Sequence, residues 1–244
     1  MKIILYDGTF DGLMTVVFDY YKEIFYIKIE KESSQMDFLE KIFVKTDINK
    51  AKRVKNAIKD KFSQNFLFHI RNNFKSKDSN KDKLIGIIIK LSFTYGKDFI
   101  KSANKYAVRF RENSKNYLSE CHSYKGLLRF RQIQDGYLFA EFQPQNNILE
   151  DLSRHFLKRM PKEKFIIYDK NRKKALIAVA GNCELVDIVD LKIKDTDKEK
   201  LFKSLRIKFY DTIAIKQRAN EKLMVSNMPK KYWKYLPEKN REEK

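Results

Sequence analysis

Asp7 and Asp11 are the first residues in the chain whose type and spacing suit chemistry, two carboxylates flanking the turn Asp7-Gly8-Thr9 that feeds a helix. Such a pair could hold a metal ion, or it could be a turn Asp and a helix-capping Asp satisfied by nearby backbone amides. No third ligand stands close in sequence, which favours capping. Gly8 and Gly12 fit neither the G-x-G-x-x-G nor the G-x-x-x-x-G-K phosphate loop. Cys121 and His122 are adjacent, with Lys125 and Arg129 just beyond. A nucleophile and its base must meet, and sequence neighbours usually point apart. His122 therefore reads as a hydrogen-bonding residue at a helix-to-strand junction.

Asp151, His155 and Arg159 stand at i, i+4 and i+8 along one helical column. Asp151 could orient the imidazole while Arg159 contacts an anion. Equally, an acid near the start and a base near the end simply complement the helix dipole. With His69 there are three histidines, and their spacing defines no shared site. Cys121 and Cys183 make neither a disulfide framework nor a metal knuckle. No metal and no cofactor are predicted. The tail from Pro229 to Pro237 interleaves Lys230, Lys231 and Lys234 with Tyr232, Trp233 and Tyr235. That pattern suits bases stacked on aromatic faces with lysines along the backbone. It suits equally a hydrophobic clasp whose lysines face water.

The charge says what these residues would touch. Of the net +20, residues 1–48 contribute −3, residues 49–135 contribute +14, residues 136–200 contribute +2 and residues 201–244 contribute +7. A concentrated surplus suggests a polyanion, because each phosphate contacted releases counterions. The competing account is a generally basic surface in a chain rich in Lys, Ile and Asn.

The elements that must position these groups follow from periodicity and turn chemistry. Residues 2–6 predict a buried strand, and Asp11 a cap for a helix carrying Leu13, Val17, Tyr20 and Ile24. Ile27–Ile29 suits a second strand. From Asp47, a good N-cap, to about Leu118 the pattern is helical in two or three pieces, with a polar loop over Lys75–Lys83. Asp135-Gly136 predicts a hairpin between Leu127–Gln134 and Tyr137–Phe142, closed by Pro144. Asn147 would cap a helix through Ile148, Leu152, Phe156 and Met160. Phe165–Asp169 and Lys174–Ala180 form a second hairpin with a basic tip, Leu185–Val189 adds a strand, and Thr196 or Asp197 caps a long helix to about Asn220. The fold class expected is α+β: a mostly antiparallel sheet covered by helices, with a basic helical insert after the first strand and helix. The chain reads as a single compact unit over 1–244, with a subdivision near residue 126 into a basic helical part and a hairpin-and-helix part. Hydrophobic content of 43% and aromatic content of 14% argue for a globular core, and few Gly and Pro leave little room for linkers. The first residues lack an apolar stretch long enough for a signal peptide, and Leu84–Tyr95, broken by Lys90, is too short to span a bilayer. A cytoplasmic protein without membrane association is expected.

Six stretches, in order, resemble one family over nearly the whole chain. They are Tyr6-Asp-Gly-Thr-Phe-Asp-Gly-Leu13, Glu120-Cys-His-Ser-Tyr-Lys-Gly-Leu-Leu-Arg-Phe130, His155-Phe-Leu-Lys-Arg159, Ile167-Tyr-Asp-Lys-Asn-Arg172, Ile215-Lys-Gln-Arg-Ala-Asn220 and Met228-Pro-Lys-Lys-Tyr-Trp-Lys-Tyr-Leu236. The family is the probable DNA metabolism proteins, a domain of unknown function. The resemblance implies a place in DNA repair or modification and a radical-SAM protein as partner. In some members a similar domain is fused to a uracil-DNA glycosylase-like domain. It draws attention to His122, Arg129, His155, Arg159, Asp169, Arg172, Arg218 and Asn220. Phe165 and Phe202 stand where related sequences carry Trp, and both are expected to be buried aromatics.

The leading reading is a DNA-binding accessory protein, with the basic helices gripping phosphates and Arg129, Arg131, Lys230, Lys231, Tyr232, Trp233 and Lys234 placing the strand. A DNA-processing enzyme would instead need His155, Arg159, Asp169 and Arg172 to converge in one pocket. A protein-interaction subunit would match its charge to an acidic partner.

Overall fold

The computed structural model describes residues 2–32, 41–188, 193, 196–213 and 220–240, with the backbone alone at 135 and 197. The chain divides into two compact units, Met1–Leu118 and Ser119–Lys244.

In the first unit, β1 (Ile3–Tyr6) is central in a three-stranded sheet, flanked by β2 (Lys28–Lys31) and β3 (Lys41–Phe43), both parallel to it. α1 (Phe10–Asp19) is the crossover between β1 and β2. Its cap is Thr9 and not Asp11: the Thr9 hydroxyl accepts from Gly12 N at 2.9 Å. Ile24 is buried beyond the helix end. Asp47 does cap α2 (Ile48–Lys61), accepting from Asn49 N and Lys50 N. The helical stretch then breaks more often than its periodicity suggests, into α3 (Gln64–Phe74), α4 (Lys81–Tyr95), a 3-10 turn (Lys97–Lys101) and α5 (Lys105–Leu127). Ser63 causes the first break by capping α3 through Phe66 N. The basic helices are thus not an insert beside a finished core. Ile58, Ile70, Ile85, Ile88 and Phe110 share one apolar cluster with Ile4, Leu13 and Val17.

In the second unit five strands run in the order β4 (Arg131–Gln132), β5 (Leu138–Phe142), β6 (Phe165–Asp169), β7 (Lys174–Val179) and β8 (Asn182–Asp187). An antiparallel β4–β5 pair forms across Asp135-Gly136, with Gly136 at φ +74°. Its first strand is shorter than the expected Leu127–Gln134, because Leu127 still belongs to α5 and Gln134–Gly136 is a 3-10 turn. The sheet is nevertheless mixed, which corrects the mostly antiparallel expectation. α6 (Leu149–Arg159) lies between β5 and β6, and a helix joining two neighbouring strands brings the second back parallel to the first. Ile148 takes the N-cap position of α6 and no side chain caps it, so Asn147 does not cap it. Glu150 and Asp151 in its first turn, and Lys158 and Arg159 in its last, complement its dipole. β6, β7 and β8 form two successive antiparallel hairpins. Thr196, through Glu199 N, caps α7 (Asp197–Ile213). The expected continuation to Asn220 falls partly on residues 214–219, outside the described residues, as does Val189. Asn220 instead caps a separate helix, α8 (Glu221–Asn227), accepting from Leu223 N at 2.9 Å. Lys230–Tyr235 is a 3-10 turn. Among the described residues no helix is long and apolar enough to cross a membrane.

Candidate functional site

The motif residues of the second unit gather first around the loop that follows β5. Glu120, buried on α5, accepts from Gln145 N at 3.0 Å, Asn146 N at 2.8 Å and Asn146 Nδ2 at 2.7 Å. From the other side, Arg172 donates to Gln145 O at 2.7 Å and Asn171 donates to Pro144 O at 2.7 Å. Asp169, fully buried, accepts from Asn171 N and Arg172 N and pairs with Arg172 at 2.9 Å. Burial pushes the Asp169 carboxyl up despite those contacts. Asp169 and Arg172 are therefore a clasp between the β6–β7 turn and the loop after β5.

His155 lies on α6, where burial first, and then the charges of Lys125 and Arg159, lower its pKa. Asp151 does not orient it: Asp151 pairs with Arg154 at 3.2 Å. Among the described residues no hydrogen bond or ion pair joins His155 or Arg159 to Asp169 or Arg172. Cys121 is buried and His122 exposed, so the adjacent pair diverges as their spacing suggests. Asn220 is spent on capping, and Arg218 lies outside the described residues. No group of three or more His, Cys, Asp or Glu among the described residues could hold a metal. In the first unit Asp7 accepts from Thr46 Oγ1 and Thr9 Oγ1 at 2.7 Å each and from Thr9 N. Its burial is outweighed by those bonds, and its carboxyl sits below the usual range. Asp11 pairs with Lys55 at 2.7 Å.

The aromatic tail divides between the two readings of it. Tyr232 is buried, with its ring edge-on to Tyr124 at 4.9 Å. Trp233 donates from Nε1 to Met228 O at 2.8 Å, while Lys230 lies over its ring. Lys231 reaches the Glu120 carboxylate at 3.7 Å. Lys234 bonds the Gln143 side chain.

A second grouping is of another kind. Arg129, Arg131, Lys203, Arg206 and Lys234 converge on a pocket of about 180 Å³, whose acidic members are Glu141 and Glu199. Three elements supply the cations: the α5–β4 junction, α7 and the C-terminal 3-10 turn. Arg129 is held by Glu238 at 2.9 Å and by Gly126 O. Arg131 lies over the Phe139 ring at 5.1 Å. Glu199 accepts from Gln132 N at 2.8 Å, which ties α7 to β4. Tyr235 completes the wall, its hydroxyl pushed up to about 12 by burial and by the nearby Glu141 and Asp169 charges. Three sequence candidates, Arg129, Arg131 and Lys234, thus meet in one place. Lys203 and Arg206, on α7, are not among the sequence candidates. Their spacing, i and i+3 on a basic helix, was the available signal.

Beside this pocket α7 presents an apolar face to solvent. Phe202 is 54% exposed and Phe209 64%, so Phe202 is not the buried aromatic expected, whereas Phe165 is fully buried. No curated protein matches the chain. A family model described as a domain of unknown function, DUF4130, matches residues 79–238, which takes in every pocket residue except Asn240. With 160 of its 244 residues matched, the chain belongs to this family of domains of unknown function, DUF4130.

Proposed function

We propose that this protein is a DNA-binding accessory protein of DNA repair or modification, which holds backbone phosphates in the cationic pocket of its second unit. The observation that carries the reading is five cations from three elements around one pocket with two carboxylates. Glu141, Glu199 and the Glu238 paired with Arg129 offset part of the mutual repulsion of these cations, and a bound anion would offset the rest. Guanidinium groups suit phosphate oxygens, which they can contact in pairs. The net +20 adds long-range attraction. The family resemblance supports a DNA role and a radical-SAM protein as the partner that performs the chemistry. Catalysis by His155, Arg159, Asp169 and Arg172 gains no such support, since Asp169 and Arg172 clasp a loop.

The test is a fluorescence-anisotropy titration of a labelled DNA oligonucleotide at several salt concentrations. With six to ten phosphates neutralised, affinity falls about 10³–10⁵-fold between roughly 50 and 200 mM salt. A flat response rejects the reading.

A further inference from the structure

The cationic pocket opens beside a second cavity, a groove lined by Phe130, Leu138, Phe202, Leu205, Phe209 and Arg206. Arg206 and Glu199 belong to both cavities, so the two adjoin along α7 at the β4 edge. One is charged and compact; the other is aromatic and open. Phe202 and Phe209 are seven residues apart on α7, two turns along the same face and about 10 Å apart along the axis. Between them Leu205 is 49% exposed, and Leu201 and Ile213 extend the apolar strip at 59% and 57%. Large side chains at helical spacing ordinarily face a core, and an exposed contiguous apolar patch marks a surface for a partner.

We infer that the occupant is a single nucleic-acid strand, whose unpaired bases lie on Phe202 and Phe209 while an adjoining phosphate enters the Arg129–Arg131–Arg206 pocket. The inference rests on the DNA-binding reading above and adds the state of the strand. Charge complementarity selects this occupant. An apolar face bordered by Lys203 and Arg206 wants a ligand that is flat and apolar in one part and anionic in the next. A nucleotide with its base unstacked is such a ligand, and every base has a face to offer a phenyl ring. A paired base keeps its face in the duplex stack and cannot reach the groove. A second copy of the chain fits poorly, because the second unit carries 28 Lys and Arg against 18 Asp and Glu, a net +10, and would bring like charge to the same rim.

The experiment uses the full chain and three fluorescent probes of equal length: a single-stranded DNA oligonucleotide, its duplex, and a single strand with abasic sites in place of bases. The single strand is expected to bind tightest, with the abasic strand and the duplex both weaker. Phe202→Ala and Phe209→Ala should each weaken the single strand by about 5- to 150-fold, the range for one lost stack, with the salt slope unchanged. Phe202→Trp should keep the binding. Because both side chains are exposed, the variants should unfold at the wild-type denaturant concentration. Equal affinity for all three probes, with a steep salt response, overturns this inference and leaves the DNA-binding reading in place. No binding to any probe overturns both. Loss of self-association in sedimentation, or of binding to phosphatidylglycerol vesicles, on Phe209→Ala with DNA affinity unchanged assigns the face to another occupant and overturns it as well.

Discussion

Single carboxylates do most of the local organisation in this chain, and each does so by accepting hydrogen bonds. Asp7 draws the β1–α1 turn onto Thr46, which brings Gly12 so close that a Cβ there would run into the Asp7 carboxylate and the Thr46 hydroxyl. At an exposed helical site Gly→Ala would stabilise by up to ~1 kcal/mol. Here Gly12→Ala should destabilise by about 1–3 kcal/mol, the ordinary cost of overpacking, as read from urea unfolding. A stabilised variant would mean that the turn relaxes freely. Asp78 lends itself to a pH test. Burial alone would raise its carboxyl, but Arg109, Asn113 and the Asn80 amide together hold it below the usual value. A carboxyl depressed in the folded state contributes stability above its unfolded pKa and loses it as pH falls toward the folded value. Wild-type unfolding midpoints should therefore drop more steeply below about pH 5 than those of Asp78→Asn. Parallel curves would remove Asp78 from the account. Glu120 was quoted only as the first residue of a motif, and nothing local in sequence announces that it will hold a loop 25 residues away.

Elements were legible where turn chemistry is local. The Asp135-Gly136 hairpin, the Asp47 cap and the β6–β7 pair follow from short-range rules, and each formed. The parallel pairing of β5 with β6 was not legible from either strand, because both neighbours read as hairpins and only the intervening α6 decides direction. The Asn147 cap failed for a related reason: the loop before α6 is held by Glu120 and Arg172, and the helix starts one residue later than the cap rule suggests. One turn violates its own preference. β7 and β8 are joined by Ala180 and Gly181 with φ of +48° and +82°, a two-residue loop that favours Asn-Gly. Relieving the left-handed alanine with Ala180→Asn should stabilise by about 1 kcal/mol, measured as a raised thermal midpoint. An unchanged or lowered midpoint would show that the backbone there is not strained. α7 was legible as a helix, and Phe202 on it was expected to be buried. Periodicity reports an amphipathic face, not what covers it, and this face is exposed.

For the whole molecule, charge in sequence and charge in space differ. The +14 block at residues 49–135 looked like the binding surface, yet part of it is neutralised locally. Lys50 pairs with Asp19, Lys55 with Asp11 and Arg109 with Asp78, two of these acids coming from the acidic opening segment. The first unit, Met1–Leu118, has 24 Lys and Arg against 14 Asp and Glu, so each unit carries +10. The evenly divided surplus moves attention from the middle helices to the place where cations from distant segments converge, the pocket of Arg129, Arg131, Lys203, Arg206 and Lys234. No scan of local composition could find it, because α7 and the tail reach it only through the fold. The most direct measurement is the salt slope of DNA affinity for wild type and for Arg131→Gln with Arg206→Gln. Each lost phosphate contact should lower the magnitude of the slope by about one, so the double variant should fall by about two while binding weakens for every sequence alike. A double variant with the wild-type slope and affinity would contradict the claim that this pocket holds the DNA backbone.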